Sequence, residues 1–355
     1  MTVMEYRYQT SESMAHLYPM VKIKGHLHIN KEGKSTRTIN LGNYKRADWG
    51  NATAPTIIDK NTYPFPYKAS MTWLSPTEAK AFKAETPLDS DQIEKNWQQK
   101  DSDGYPLFEF IVAGMAPNGG LAVWLRGQRK SVLIATAKGQ ELDDTAVADM
   151  LGGKSIKEIS QTALCQNPEI LQHMLDNGLP PRDLFDHWME QMEYRYMPLE
   201  EYWDGETWRE YDEDDLFYDD IMLNELHVQR YDGTHHQLPD DISLLKYHKA
   251  GMPKQLALRW DEGDSHLSAY WWFDDQLLYP VLHHFFYSLA PGARTDLLLR
   301  LDSRHQRFEM ALKGGEMLTQ PIDIPQTTYQ LIIFKDGHEL YHSKNFNKED
   351  GAWDW

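Results

Sequence analysis

Cysteine is almost missing from this 355-residue sequence: Cys165 is the only one, so an intramolecular disulfide cannot form and a cysteine-rich zinc site is excluded. A reducing compartment fits. Positive charge is also scarce, with 36 Lys and Arg against 54 carboxylates and a formal net charge of −18. That balance disfavours phosphate backbones and anionic membrane surfaces and favours basic partners. No stretch approaches the roughly 18 apolar residues of a membrane span. Residues Met1–Ser13 have neither the basic start nor the apolar run of a secretory signal. The expectation is a cytoplasmic protein that binds neither nucleic acid nor membrane.

Catalytic signatures are missing too. There is no G-x-S-x-G, H-E-x-x-H or G-x-x-x-x-G-K-[ST], and no glycine fingerprint running from a strand into a helix. Cys165 falls in a predicted helix without a basic neighbour to activate its thiol, so inert burial is expected. His26 and His28 would share one face of a strand, as a metal site needs, whereas the adjacent pairs His235-His236 and His283-His284 would point to opposite faces of a strand. Ordinary strand and loop histidines are the favoured reading, with no metal, no cofactor and no catalytic residue assigned. Trp271-Trp272-Phe273, if exposed, would suit a sugar or a peptide.

What is present is aromatic and repetitive. The chain holds 12 Trp and 19 Tyr, a content that disordered sequences lack, and its length suits two domains of roughly 100–200 residues. Pro66–Trp73 (PYKASMTW) pairs with Pro253–Trp260 (PKQLALRW), and His26–Gly33 (HLHINKEG) resembles Leu226–Gly233 (LHVQRYDG). Tyr105–Pro117 (YPLFEFIVAGMAP) is set against Tyr279–Pro291 (YPVLHHFFYSLAP), Leu121–Arg126 against Thr295–Arg300, and Lys138–Glu141 against Lys313–Glu316. Ordered landmarks of this kind point to duplication.

The shared blocks IKGHLHI, PYKASMTW, LFEFIVAG, LAVWLRG and SVLIATA read as short strands, with a hairpin turn at Asn118-Gly119-Gly120 and another at Pro291-Gly292. The first copy also carries TEAKAFKAE and DSDQIEKNWQQ, read as one or two short helices. Between the copies, Ser155-x-x-Glu158 has capping-box form, Asn167-Pro168 opens a helix, Asn177-Gly178 stops it, and an apolar stripe recurs at Leu184, Phe185, Trp188 and Met189. The expected architecture is α+β: two tandem diverged copies of a mainly antiparallel β-sheet domain joined by a helical, acidic connector. The expected domains are residues 1–150, connector 151–221, and residues 222–355.

The connector ends in an unusual segment. Between Glu200 and Asp220 lie eleven carboxylates and one basic residue, Arg209, interleaved with Tyr202, Trp203, Trp208, Tyr211, Phe217 and Tyr218. Aromatic anchors amid like charge describe an interface for a basic partner. Its candidate residues are Glu200, Glu201, Trp203, Asp204, Glu206, Trp208, Tyr211, Asp212, Glu213, Asp214, Asp215, Asp219 and Asp220. A solvated linker is the bland alternative, and the spacing lacks the pattern of a calcium loop.

Pro66–Gly139 resembles a bacterial family of unknown function numbered 2931. Trp73, Glu78 and Phe82 fit its W-x-S-x-x-E-x-x-x-F/Y block, and Gly114, Pro117, Gly119, Gly120 and Trp124 fit its V-A-G-x-A-P-G-G-x-V-x-V-W-L block. Many members look like lipoproteins, a pattern from which this chain departs by lacking a lipobox cysteine. Some relatives accompany toxin or effector genes, so the resemblance implies an immunity protein and carries over no catalytic residue. The expected function is therefore a non-enzymatic antidote that occludes a basic bacterial toxin or effector. A hydrolase reversing a toxin's modification and a carbohydrate- or peptide-binding module are the alternatives.

Overall fold

The computed structural model describes residues 5–15, 18–29, 36–39, 49–52, 60–211, 221–239, 241–289, 293–314 and 318–343. The expected turn at Pro291-Gly292 lies outside them. The chain divides into two compact units: Met1–Met189 with Asp232–Thr234, and Glu190–Tyr231 with His235–Trp355. The helices expected in a connector thus fall in the first unit, and the segment that follows them belongs to the second.

In the first unit, β1 (Gln9–Met14) runs parallel to β6 (Phe110–Met115), which continues antiparallel into β7 (Gly120–Arg126) and β8 (Ser131–Lys138). Its second sheet has the order β3 (Thr36–Thr38), β2 (Val21–His28), β4 (Lys68–Ser75), β5 (Lys80–Pro87), β9 (Gln140–Leu142), all antiparallel. Helix α1 (Ser90–Trp97) follows β5, and α2 (Asp144–Val147), α3 (Ile156–Cys165), α4 (Pro168–Asn177) and α5 (Leu184–Met189) close the unit. The α3 capping box forms as its spacing implies: Ser155 Oγ accepts from the Glu158 N–H, and the Glu158 carboxylate accepts from the Ser155 N–H. Asn118 and Gly119 take φ of 58° and 75° in the short Pro117–Gly119 turn between β6 and β7, the left-handed region that asparagine and glycine enter most readily.

The second unit repeats this order of pairings. Strand β10 (Met192–Pro198) runs parallel to β18 (Thr295–Asp302), which continues antiparallel into β19 (Arg307–Gly314) and β20 (Leu318–Asp323). The second sheet runs β14 (His235–Gln237), β13 (Ile221–Arg230), β16 (Pro253–Glu262), β17 (Ser265–Phe273), β21 (Tyr329–Lys335), β22 (His338–His342). Helix α6 (Asp275–Ser288) follows β17 as α1 follows β5. Additions are β15 (His248–Ala250) beside β10 and a two-stranded ribbon, β11 (Glu201–Trp203) with β12 (Trp208–Glu210). Leu297, Leu299 and Leu301 of β18 and Phe308, Met310 and Leu312 of β19 join the core, and the residues between them lie on the opposite face, where Leu298, Arg300, Asp302 and Ala311 are buried as well.

Several sequence expectations need correction. Thr77–Ala79 form a turn and Lys80–Pro87 is strand β5, so TEAKAFKAE is not helical; its alternation of buried Ala81, Phe82, Ala84 and Thr86 with exposed neighbours prevails over helix propensity. Tyr279–Pro291 is not a strand equivalent to β6. Most of it is α6, capped by Asp274, with Leu278, Leu282 and Phe285 buried at helical spacing. The pairing order matches β6 to β18 and β7 to β19, so Arg126 and Arg300 are not counterparts, nor are Lys138 and Lys313; Gly315 and Glu316 of that block lie outside the described residues. Trp73 of β4 and Trp260 of β16 do hold the same position in that order, and both are fully buried. Trp271, Trp272 and Phe273 are core residues, not an exposed platform. Cys165 is exposed, not buried.

Candidate functional site

The acidic aromatic segment begins where β10 ends. Leu199 turns the chain with φ of 62°, and β11 and β12 then form a ribbon with Glu201 opposite Glu210, Tyr202 opposite Arg209 and Trp203 opposite Trp208. Asp204 builds the turn. Its carboxylate accepts from the N–H groups of Glu206 at 2.9 Å and Thr207 at 2.8 Å and from Arg209. These bonds, that from Thr207 foremost, pull its pKa down to about 2.

One side of the ribbon lies on the outward residues of β18 and β19. Trp203 and Trp208 meet edge-on, 5.7 Å between centroids. The Arg307 guanidinium sits 3.8 Å from the Trp203 ring centre and that of Arg300 5.6 Å from Trp208. Trp208 Nε1 donates to Glu309 at 2.7 Å, and the Trp203 N–H to Asp302 at 2.9 Å. Asp302 stays below the ordinary carboxylate range: burial acts in the opposite direction, but N–H donors from His305 and Trp203 outweigh it. Arg300 Nε bonds Glu201, and its Nη1 reaches Asp323 on β20 at 2.9 Å. Lys313 reaches Glu210 at 2.5 Å.

The sequence candidates therefore separate by role. Glu201 and Asp204 each have a cation within the unit, as does Glu210, which is not a candidate, and Trp203 and Trp208 are half-buried against their own sheet. Glu206 is exposed, and Tyr211 packs on Tyr202 at 4.9 Å. Glu200 is half-buried, and desolvation raises its carboxyl pKa, with Arg195 opposing that shift. Asp212, Glu213, Asp214, Asp215, Asp219 and Asp220 lie outside the described residues. Arg300, Arg307, Glu309 and Lys313 hold the ribbon in place. Their sequence signal is partial: polar residues fall at every second place of TDLLLRLD and RFEMALKG except Leu298 and Ala311.

Among the described residues, no group of three or more His, Cys, Asp or Glu is placed to hold a metal ion. His26 and His28 do share a face of β2, and burial, then neighbouring lysines, lowers both pKa values. His28 Nε2 lies 2.9 Å from Ser70 Oγ. His283 and His284 sit on α6, where His283 stacks on Tyr287 at 4.1 Å.

The two motif blocks of the first unit meet one another. Both Glu78 carboxylate oxygens accept from the Asn118 N–H, at 3.2 and 3.1 Å, so the turn after β4 is tied to the hairpin after β6. A Cβ on Gly114 would stand 2.4 Å from the Trp124 ring, and Trp73 packs on Phe82 at 5.8 Å. Residues 5–170 match the family described as protein of unknown function (DUF2931). Over this segment the chain is similar to that family. Its motif residues Glu78, Gly114, Gly119 and Trp124 act here on folding, as a carboxylate staple, a ring cavity and a positive-φ turn. No curated protein and no solved structure matches the chain.

Proposed function

We propose that the chain is a non-enzymatic binding protein that takes a basic protein partner, in the manner of an immunity protein that occludes a cationic toxin or effector domain. The observation that carries this reading is the place of the ribbon. The first unit passes from β1 to β2 through residues 15–20, whereas the second passes from β10 to β13 through residues 199–220, which contain the ribbon and the acidic run. The extra segment decorates a shared scaffold, and decorations on a rigid scaffold are where binding residues concentrate.

Duplication of one domain, followed by divergence, accounts for the shared pairing order, and the second copy then acquired the ribbon. Arg300, Arg307 and Lys313 anchor it, leaving Glu206 and the acidic run 212–220 to meet a cationic surface. Such charge accelerates and orients encounter and weakens with added salt. The test is a pull-down with the intact chain from its native host, followed by co-expression with the recovered partner. A cationic protein whose toxicity the chain suppresses supports the reading; recovery of only neutral or acidic proteins, or no protection, contradicts it.

A further inference from the structure

A second site lies on the outer face of the β13–β16–β17 sheet, in a groove of about 460 Å³ lined by Asn224, Glu225, Arg259, Asp261, His266 and Ser268 among others. Strand register sets them in two rows. Glu225 of β13 stands opposite Arg259 of β16, which stands opposite Ser268 of β17; in the next row Asp261 stands opposite His266. Directly opposed side chains on one face have Cβ atoms roughly 4.5–5.5 Å apart, so these groups converge. A register irregularity between Leu223 and Glu225 makes Asn224 a bulge residue at the groove. Bulges re-aim side chains in this way beside functional sites.

The groove's carboxylates are already engaged. Glu225 accepts from Arg259 Nη1 at 2.8 Å and from Gln237 Nε2, and pairs with His227. Asp261 is bonded by Asn224 and by His266 Nδ1, the latter at 2.6 Å. His266 is pinned through its backbone as well: its N–H donates to Asp336 Oδ1 and its carbonyl accepts from the Asp336 N–H, both at 2.8 Å. Among the described residues, Nε and Nη2 of Arg259, Nε2 of His266 and Oγ of Ser268 have no partner. Asp261 raises the His266 pKa, which favours a proton on Nε2; Arg259, Glu225 and Asp336 are the other charged groups around this imidazole. The Arg259 and His266 nitrogens are donors and the Ser268 hydroxyl can donate, so acceptors on a ligand would complement them.

We propose that this groove binds an oxyanion, the phosphate or carboxylate group of a ligand, with Arg259 as its charged clamp and Ser268 and His266 as flanking donors. The net charge of −18 does not forbid it, because exposed charges farther off than about 8 Å are largely screened at physiological salt while Arg259 is in contact. This site is separate from the ribbon, and its test does not depend on a basic partner.

The experiment uses the full chain with ¹³C-labelled histidine at pH 6 and follows the His266 Cε1–H resonance while inorganic phosphate or acetate is added. A saturable shift is expected, and Arg259→Gln should weaken it roughly tenfold, the scale of one charge-assisted hydrogen bond. Gln237 and His227 still satisfy Glu225 in that variant, and an unchanged melting curve verifies its fold. Should it melt early, Ser268→Ala carries the test, with a severalfold loss expected. Saturation by phosphate alone assigns a phosphoryl ligand, and saturation by acetate assigns a carboxylate. A linear drift with both anions, or equal affinity in wild type and variant, overturns the site.

Discussion

Arg300 and Glu201 form an ion pair whose side chains are 7% and 8% exposed, joining β18 to the first strand of the ribbon. A buried pair contributes little net stability over an apolar replacement, but removing one partner strands the other in a low-dielectric setting. Arg300→Met should therefore destabilise the second unit by about 3–5 kcal/mol, and the double change Arg300→Met with Glu201→Met should recover most of that loss. Chemical denaturation of the three proteins checks it. Equal stability of the single variant and the wild type would remove Arg300 as the anchor.

Asp302 gives the pH dependence a definite sign. Its folded pKa is depressed, so its contribution is complete above the unfolded value of about 3.9 and declines as pH falls through the folded value. Asp302→Asn should thus lower stability at pH 7 and narrow the difference from wild type below about pH 4. Melting curves across that range test the point, and a difference that widens on acidification would contradict it.

Glu78 and Asn118 link the two motif blocks of the first unit. A hydrogen bond to a charged group contributes about 1.5–3 kcal/mol, so Glu78→Ala should cost that order of stability. Glu78→Gln, which keeps an acceptor, should cost less. A loss equal in the two variants would refute the staple.

Gly114 faces the Trp124 ring where a Cβ would stand 2.4 Å from it. Gly114→Ala should destabilise by about 1–3 kcal/mol through overpacking. Gly104→Ala has open space instead, and its φ of +85° alone should carry its smaller cost. Thermal melts of both variants give the comparison.

Local chemistry was legible in the sequence. The Ser155/Glu158 capping box and the Asn118-Gly119 turn each depend on residues close together in the chain, and the structure contains both. The apolar run Leu277–Phe286 was misread because a short hydrophobic stretch fits a buried strand or a buried helix alike; the cap at Asp274 and the spacing of Leu278, Leu282 and Phe285 distinguish them. Set against Tyr105–Pro117, that run displaces the blocks after it by one strand in the pairing order. The partners of the ribbon were beyond reach for a different reason: Glu201 and Arg300, like Glu210 and Lys313, meet only through the β10–β18–β19 pairing.

The proposal that the ribbon and its acidic run meet a basic partner is tested most directly by measuring partner affinity for the wild type and for a chain with Asp212, Asp214 and Asp215 changed to Asn and Glu213 to Gln, at low and at physiological salt. The account expects affinity in the wild type to fall as salt rises, and the neutralised chain to bind more weakly with a shallower salt dependence. Equal affinity and equal salt dependence in the two chains would contradict it.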